Sequence, residues 1–289
     1  MDTIILNILI CHAIQNCYLN TINVALMPFN HSNTDHKPLV HETHLLINDL
    51  QKLAEQVGLL LLGHHRHIAA ILAAKNGTAP PSTNVMIDRA QRQLTATTDP
   101  EIWKRDGWLF QMMTWISVRM EYSGLNLISQ APHTNMAQHG IDGLAIVLSS
   151  KKRIEALIIA EDKYTENPRP TLKDQVWPEF KLFEEGEFDS QLVTQITMLL
   201  GNLDDDELET IIKDDIYKKE NRIYRAGITP LSTHSTPKKT KRLFNGYDDC
   251  VSGTNQIRRQ TLTFRQAEIR QWMVNFSSLI YDFLETQRP

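Results

Sequence analysis

Two carboxylates and an ammonium group lie at the ends of two short apolar segments of the chain. Asp142 lies in the segment IDGLAIVL, residues 141–148, and Glu161 and Lys163 come directly after the segment IEALIIA, residues 154–160. Carboxylates are the hard oxygen ligands that Mg²⁺ prefers, and Mg²⁺ keeps several water molecules for its substrate. An ammonium group beside them can orient an attacking water and stabilise charge that develops on a phosphate. These residue types predict metal-assisted hydrolysis of a phosphate ester.

The two segments are predicted to be paired β-strands. Both are short and rich in Ile, Val, Leu and Ala, and the polar turn SSKKR separates them, which favours a buried hairpin. The hairpin brings Asp142 to the same end as Glu161. Because successive side chains of a strand point to opposite faces, we expect Glu161 and Lys163 on one face and Asp162 on the other.

Helices are predicted on both sides of this hairpin along the chain. Asp99 and the following Pro-Glu provide an N-cap and a first-turn proline for a helix that ends at Gly124. We expect the tryptophans of this helix, Trp103 among them, to lie in the core. Helical spacing of apolar residues returns over residues 172–184 and 188–200.

Three regions follow from this pattern. Residues 1–98 are predicted to be largely helical, with one helix from Glu42 onwards, and residues 99–220 to form the core. Residues 221–289 are predicted to form an exposed basic loop and an amphipathic helix from about Phe264 that packs on the core. The predicted fold class is therefore α/β, with a mixed β-sheet flanked by helices and a largely helical N-terminal region.

Composition and missing motifs exclude several classes of protein. The 289 residues carry a net charge of −4 and only three cysteines, which indicates a reducing compartment and no global basic field for nucleic acid. The GxGxxG, P-loop and GxSxG patterns do not occur, so nucleotide-driven and hydrolase-elbow chemistry lack sequence support. The apolar start carries Asp2 where a secretion signal has a basic residue. We expect a packed segment there and a cytoplasmic protein with no membrane partner, with Met27 as an alternative start.

The spacing of the acidic residues resembles a nuclease pattern. Asp142, 18 intervening residues and then Glu161-Asp162-Lys163 are similar to the PD-(D/E)xK nuclease superfamily, which has a restriction-endonuclease-like core. The family's proline is replaced by Ile141. The resemblance implies that Asp142 and Glu161 bind Mg²⁺ or Mn²⁺, that the backbone carbonyl of Asp162 is a supporting ligand and that Lys163 activates water.

The same resemblance implies further site residues outside the hairpin. Some members carry an additional acidic ligand on the helix before the first strand, and Glu121 is the candidate here. A polar residue on a later helix often points back into the site, a role that suits Gln195 or Gln191. Within the superfamily, the segments HGIDG and EDKYTENPR are similar to the nuclease subunit of Hachiman-type antiphage systems. That similarity implies DNA as the substrate and a separate helicase as the partner.

A basic run supplies the predicted contact with DNA phosphates. It consists of Lys238, Lys239, Lys241 and Arg242, among turn-forming residues. The leading hypothesis is therefore a Mg²⁺-dependent deoxyribonuclease. Two alternatives stay open: a non-enzymatic adaptor subunit, whose helical N-terminal third and C-terminal helix assemble a larger complex, and a stand-alone restriction-type endonuclease. A purely structural interpretation of the motif makes Asp142 a turn residue and Glu161 and Lys163 a solvated ion pair.

Overall fold

The computed structural model describes residues 27–73, 75, 80–136, 140–234 and 236–289. Within them the chain folds around a mixed β-sheet of seven strands that helices flank, which confirms the predicted fold class. The predictions for the first 26 residues lie outside the described part of the chain.

The strands of the sheet come from the whole length of the described chain. They are β1 (Phe29–His36), β2 (Val40–Ile47), β3 (Leu127–Ser129), β4 (Gly143–Leu148), β5 (Ile154–Lys163), β6 (Arg222–Ile228) and β7 (Arg259–Phe264). Their order across the sheet is β1-β2-β7-β6-β5-β4-β3. Strands β2, β7, β6 and β5 run parallel, and β1, β4 and β3 are antiparallel to their neighbours. The C-terminal ends of the four parallel strands therefore share one edge of the sheet.

Helices cover both faces of the sheet. They are α1 (Leu50–Leu61), α2 (His65–Leu72), α3 (Asn84–Leu94), α4 (Asp99–Glu121), α5 (Pro168–Thr171), α6 (Trp177–Glu185), α7 (Asp189–Leu199), α8 (Asp205–Asp214), α9 (Pro237–Leu243), α10 (Tyr247–Cys250), α11 (Asn255–Arg258) and α12 (Ile269–Thr286). A π-helical turn, Leu172–Val176, joins α5 to α6. The described helices are all too short or too polar to cross a membrane.

Each face of the sheet has its own apolar core. Helices α1 to α4 and α12 pack on one face, where Ile116 and Phe276 are fully buried. Helices α5 to α10 lie on the other face, where Phe180 and Ile196 are fully buried. The sheet is thus the middle layer of three.

Two boundaries in the first 100 residues differ from the prediction. Helices α1, α2 and α3 do lie between residues 50 and 94, but the helix predicted from Glu42 begins at Leu50, where Asp49 accepts a hydrogen bond from the Lys52 backbone nitrogen at 2.9 Å. The residues before it form the antiparallel hairpin β1–β2. Likewise α4 is capped by Thr98 rather than by Asp99, through a capping box in which Glu101 accepts from the Thr98 nitrogen at 3.0 Å.

The C-terminal region also contributes to the sheet. Strands β6 and β7 lie beyond residue 220, and Phe264 ends β7, so the last helix starts at Ile269. Strand β7, RQTLTF, is buried throughout although most of its residues are polar. Neighbouring residues provide hydrogen-bond partners for its polar side chains; Thr261 Oγ1, for example, donates to the Ala226 carbonyl at 2.7 Å. The predicted basic loop is the helix α9, which Thr236 caps.

Candidate active site

Helix α4 holds two of the site carboxyl groups from one face of the sheet. Gln111 Nε2 donates to Asp142 Oδ1 at 2.6 Å, and Thr114 Oγ1 donates to Asp162 Oδ2 at 2.5 Å. Residues three apart on a helix lie on the same side of it. One stripe of α4 therefore fixes the side chains of both aspartates.

The β4–β5 hairpin brings Asp142 and Glu161 together. Gly143 pairs with Ala160 in the antiparallel register, so the residues beyond this pair lie side by side. The Asp162 backbone nitrogen donates to Asp142 Oδ2 at 3.0 Å. The Asp142 and Glu161 carboxyl groups lie within hydrogen-bonding reach of each other. The two groups can therefore share one proton.

The electrostatics of this carboxyl pair favour its protonated form. Glu161 is only 5% exposed, and burial together with the Asp142 charge raises its pKa to about 7. Burial also raises the pKa of Asp142, against the opposing effects of Lys163 and the Asp162 N–H. Two adjacent carboxylates, one buried and one half-buried, need a proton or a cation between them, since their like charges repel.

Lys163 and Glu179 face the same pair from the other side of the sheet. The Lys163 ammonium donates to Glu161 Oε1. Burial lowers the pKa of Lys163, but Glu161 and Asp142 outweigh that effect and raise it, so the group stays charged. Glu179 of α6 is half-buried, and burial and the Glu161 charge raise its pKa to about 7.

Glu179 is the site residue that the sequence interpretation missed. It belongs to the predicted helix 172–184, where its neighbours in the apolar stripe, Val176, Phe180 and Phe183, are buried. The sequence offered one signal for Glu179, namely a carboxylate beside the apolar stripe of a predicted helix. Nothing in the chain spacing linked that signal to Glu161.

Asp162 points to the α4 face, opposite to Glu161, as strand alternation requires. Burial and the Asp142 charge raise its pKa well above the usual range. Its Cα partner on β6 is Gly227, where an added Cβ would overlap Asp162 Oδ1 and lie 3.0 Å from Asp162 Cγ. The glycine thus makes room for the aspartate side chain.

Three further residues were predicted for the site: Glu121 and the alternatives Gln195 and Gln191. Glu121 forms an ion pair with Arg225 of β6 at 2.6 Å, and it is seven residues, or roughly 10 Å of helix, beyond Thr114. The structure therefore places the Glu121 carboxylate against Arg225, and its predicted metal contact stays a prediction. In the described chain, Gln195 and Gln191 make no hydrogen bond to the carboxyl pair; the first residue of their helix α7, Asp189, instead binds Arg222 at 2.8 Å, at the opposite edge of the sheet.

The basic helix α9 lies at the same sheet edge as the carboxyl pair. Lys238, Lys239 and Arg242 are exposed, whereas Lys241 Nζ donates to the Lys37 carbonyl at 2.5 Å. Arg169 of α5 donates to the Leu243 carbonyl at the end of α9 at 3.1 Å and to the Asn245 carbonyl just after it at 2.6 Å. Three cations are therefore free to face solvent near the segment that follows Lys163.

A cleft of about 530 Å³ opens beside the site. It lies between α4, the segment after β5 and the start of α12, and its lining includes Gln111, Lys163 and Arg270. Trp103 also lines it and is 56% exposed, so its predicted place in the core is wrong. The later tryptophans of the helix, Trp108 among them, are buried as predicted.

The donor set near the cleft suits a cation of high charge density. Among the described residues, no group of three or more His, Cys, Asp or Glu side chains is arranged to hold a metal. Mg²⁺, however, is usually held by one or two carboxylates together with water and phosphate oxygens. The Asp142–Glu161 pair meets that requirement. No protein-family model matches the chain, and no curated protein matches it in sequence.

Proposed function

We propose that this protein is a metal-dependent nuclease that hydrolyses phosphodiester bonds in DNA, with Asp142, Glu161 and Lys163 as its catalytic residues. The Asp142–Glu161 pair is the observation that carries the proposal. Glu161 is buried and Asp142 is half-buried, their carboxyl groups lie within hydrogen-bonding reach of each other, a lysine contacts one of them, and a cleft opens beside them. A set of perturbed acids at a cleft is typical of active sites.

Asp142 and Glu161 would hold Mg²⁺ or Mn²⁺, with the Asp162 backbone carbonyl as a supporting oxygen. Gln111 supports this role, because its amide orients the Asp142 carboxylate. When bound, the ion would supply a positive charge that stabilises the charge developing on the phosphate.

Side chains of the protein would carry out the other catalytic roles. Lys163 lines the cleft and its ammonium group contacts Glu161; its charge would offset negative charge on a phosphate and its N–H groups would orient a water molecule. The Glu161 carboxylate accepts a hydrogen bond from Lys163, which holds the ammonium group beside the carboxyl pair. Glu179 adds a third acidic group that favours keeping Lys163 protonated.

We further propose that DNA reaches the site along α9 and that the protein acts in cytoplasmic antiphage defence with a helicase partner. The net charge of −4 leaves phosphate binding to local patches such as the exposed α9 cations. A helicase partner fits a chain without a P-loop. The buried, free thiol of Cys250 fits a reducing compartment.

Cleavage assays on the purified chain test the proposal. Plasmid DNA is incubated with the wild type and with Glu161→Gln and Lys163→Met, in Mg²⁺, Mn²⁺ or EDTA. We expect each substitution to reduce cleavage at least about 100-fold, while the exposed-lysine control Lys181→Met stays at the wild-type level. Full cleavage by either site variant contradicts the assignment.

A metal-binding measurement separates the nuclease from the adaptor. Binding to the folded state alone raises the melting temperature, so Mn²⁺ should raise that of the wild type but not that of Glu161→Gln. A wild type that neither cleaves DNA nor responds to Mg²⁺ or Mn²⁺ favours the adaptor. Cleavage at one DNA sequence without any helicase favours the stand-alone endonuclease.

A further inference from the structure

One side of α4 forms a continuous path into the candidate active site. Trp103, Gly107 and Gln111 are spaced four apart, so they lie on one stripe of the helix, and all three line the cleft. Gln111 contacts Asp142. Trp103 and Gln111 are eight residues, or about 12 Å, apart along the helix. The exposed indole is therefore a few nucleotides away from the proposed cleavage point, since one duplex strand advances ~3.4 Å per base.

Gly107 keeps this path open. A Cβ added there would meet nothing within 4 Å, so close packing is not the reason for a glycine. Glycine in a helix interior is unfavourable by about 1 kcal/mol relative to alanine. We attribute Gly107 to the space that the missing side chain leaves on the floor of the cleft.

The charges along the cleft suit a phosphate chain. Lys104 is exposed next to Trp103, and Lys163 and Arg270 also line the cleft. Glu166 is an acid at the rim, and Arg270 lies 3.4 Å from it and 3.0 Å from Asp106. Lys104 and Lys163 are therefore the cations best placed to meet phosphates.

We propose that this cleft binds an unpaired nucleotide of a single-stranded stretch, with its base stacked on Trp103 and its phosphate at Lys104. The proposal rests on the nuclease function and names the substrate class of that site. An aromatic face binds a base only where the base exposes its own face, which single strands and frayed ends offer and an intact duplex does not. A volume of about 530 Å³ is in the range of small-ligand sites.

Binding to the full chain in EDTA tests the proposal without cleavage. The probes are fluorescein-labelled oligo-dT, the same strand with abasic positions and a blunt duplex of equal length, followed by fluorescence anisotropy. We expect Trp103→Ala to weaken oligo-dT binding about 5- to 150-fold and to change duplex and abasic-strand binding less than about twofold. Tyr217→Ala is the matched control, because Tyr217 is a similarly exposed aromatic residue at 53%; it should have no effect.

A second variant tests the open floor of the cleft. Gly107→Leu should fold, since the space beside the helix is free and leucine favours helix, and it should weaken oligo-dT binding at least about fivefold. Unchanged oligo-dT binding in Trp103→Ala, or equal losses on all three probes, overturns the proposal. If oligo-dT binding does not depend on Trp103 but the protein still cleaves DNA, the nuclease assignment stands and only the single-strand proposal fails. If oligo-dT binding depends on Trp103 but no metal-dependent cleavage is found, only the nuclease assignment fails.

Discussion

Two buried glutamates on the same sheet have opposite electrostatics. Glu42 of β2 is 3% exposed and Glu161 of β5 is 5% exposed. Burial alone would raise the pKa of Glu42, but contacts with His36, Thr263 and Arg265 at 2.7, 2.6 and 2.9 Å outweigh it and lower the pKa to about 2. Glu161 faces a second carboxyl group instead, and its pKa is about 7.

The difference shows how the fold treats a buried acid whose charge is compensated and one whose charge is not. A structural carboxylate is surrounded by donors until its charge is compensated. At the Asp142–Glu161 pair that compensation is incomplete, so a proton or a cation is needed there. Perturbed acids of this second kind mark functional sites.

The largest effect on stability is expected from Glu42→Gln. Removing one partner of a buried ion pair leaves Arg265 uncompensated, so the free energy of unfolding should fall by about 3 to 5 kcal/mol at pH 7. Because the folded-state pKa is lowered, this contribution is present above about pH 4.5 and is lost as the pH falls towards 2. Urea titrations at several pH values measure it, with the exposed Glu187→Gln as a control within about 0.5 kcal/mol.

The next largest effect on stability is expected at Gly227, which leaves room for the Asp162 side chain. Gly227→Ala should destabilise the fold by about 1 to 3 kcal/mol, since the new Cβ overlaps the Asp162 carboxyl group. In an Asp162→Gly background, the same change should become far milder. Equal losses in both backgrounds, measured as a double-mutant cycle, would show that Asp162 is not the obstacle.

Glu161→Gln should change stability in the opposite direction to Glu42→Gln. The folded-state pKa of Glu161 is raised from about 4.5 to about 7, so the stability linked to its proton is present below pH 4.5 and is lost as the pH rises through 7. In EDTA at pH 8, the variant should be more stable than the wild type by roughly 1 to 3 kcal/mol, and the gain should vanish near pH 4.5. A loss of stability at pH 8 would place Glu161 in the same class as Glu42.

Asp162→Asn should change little. A protonated aspartate and an asparagine have nearly the same shape, and the proposed ligand at this position is the backbone carbonyl. We expect cleavage within about tenfold of the wild type, far from the loss in Glu161→Gln. Plasmid cleavage by the two variants side by side checks this; a more damaging Asp162→Asn would assign the reactive role to the α4 face.

The smallest effect on stability is expected at the surface helix above Glu42. Arg265, which contacts Glu42, also reaches Thr240 of α9 at 3.3 Å. Serine at Lys238, Lys239 and Arg242 should leave the unfolding free energy within about 0.5 kcal/mol. The same change should flatten the salt dependence of DNA binding by a slope of about 2 to 3, measured by anisotropy across a salt series. An unchanged slope would remove α9 from the DNA path.

The sequence predicted the β4–β5 hairpin better than the sheet around it. The apolar strands β4 and β5 have a local signature, and their turn fixes the Asp142–Glu161 juxtaposition. Strand β7 is a polar segment whose partners are distant in sequence, so no local pattern indicated it. The burial of Trp103 was predicted wrongly for a related reason. Helical spacing identifies the apolar stripe of a helix, but the elements that pack against the helix decide which end of that stripe is buried.

The pairing of β2 with β7 joins His41 to Gln260, residues more than 200 positions apart. Contacts of such long range slow folding, because the chain must close a large loop before the strands gain anything from meeting. On the ribosome, the β4–β5 hairpin emerges well before β7 does. The central sheet is completed only after residue 264 has been synthesised, and β6, which pairs with the Glu161 end of β5, emerges well after the hairpin.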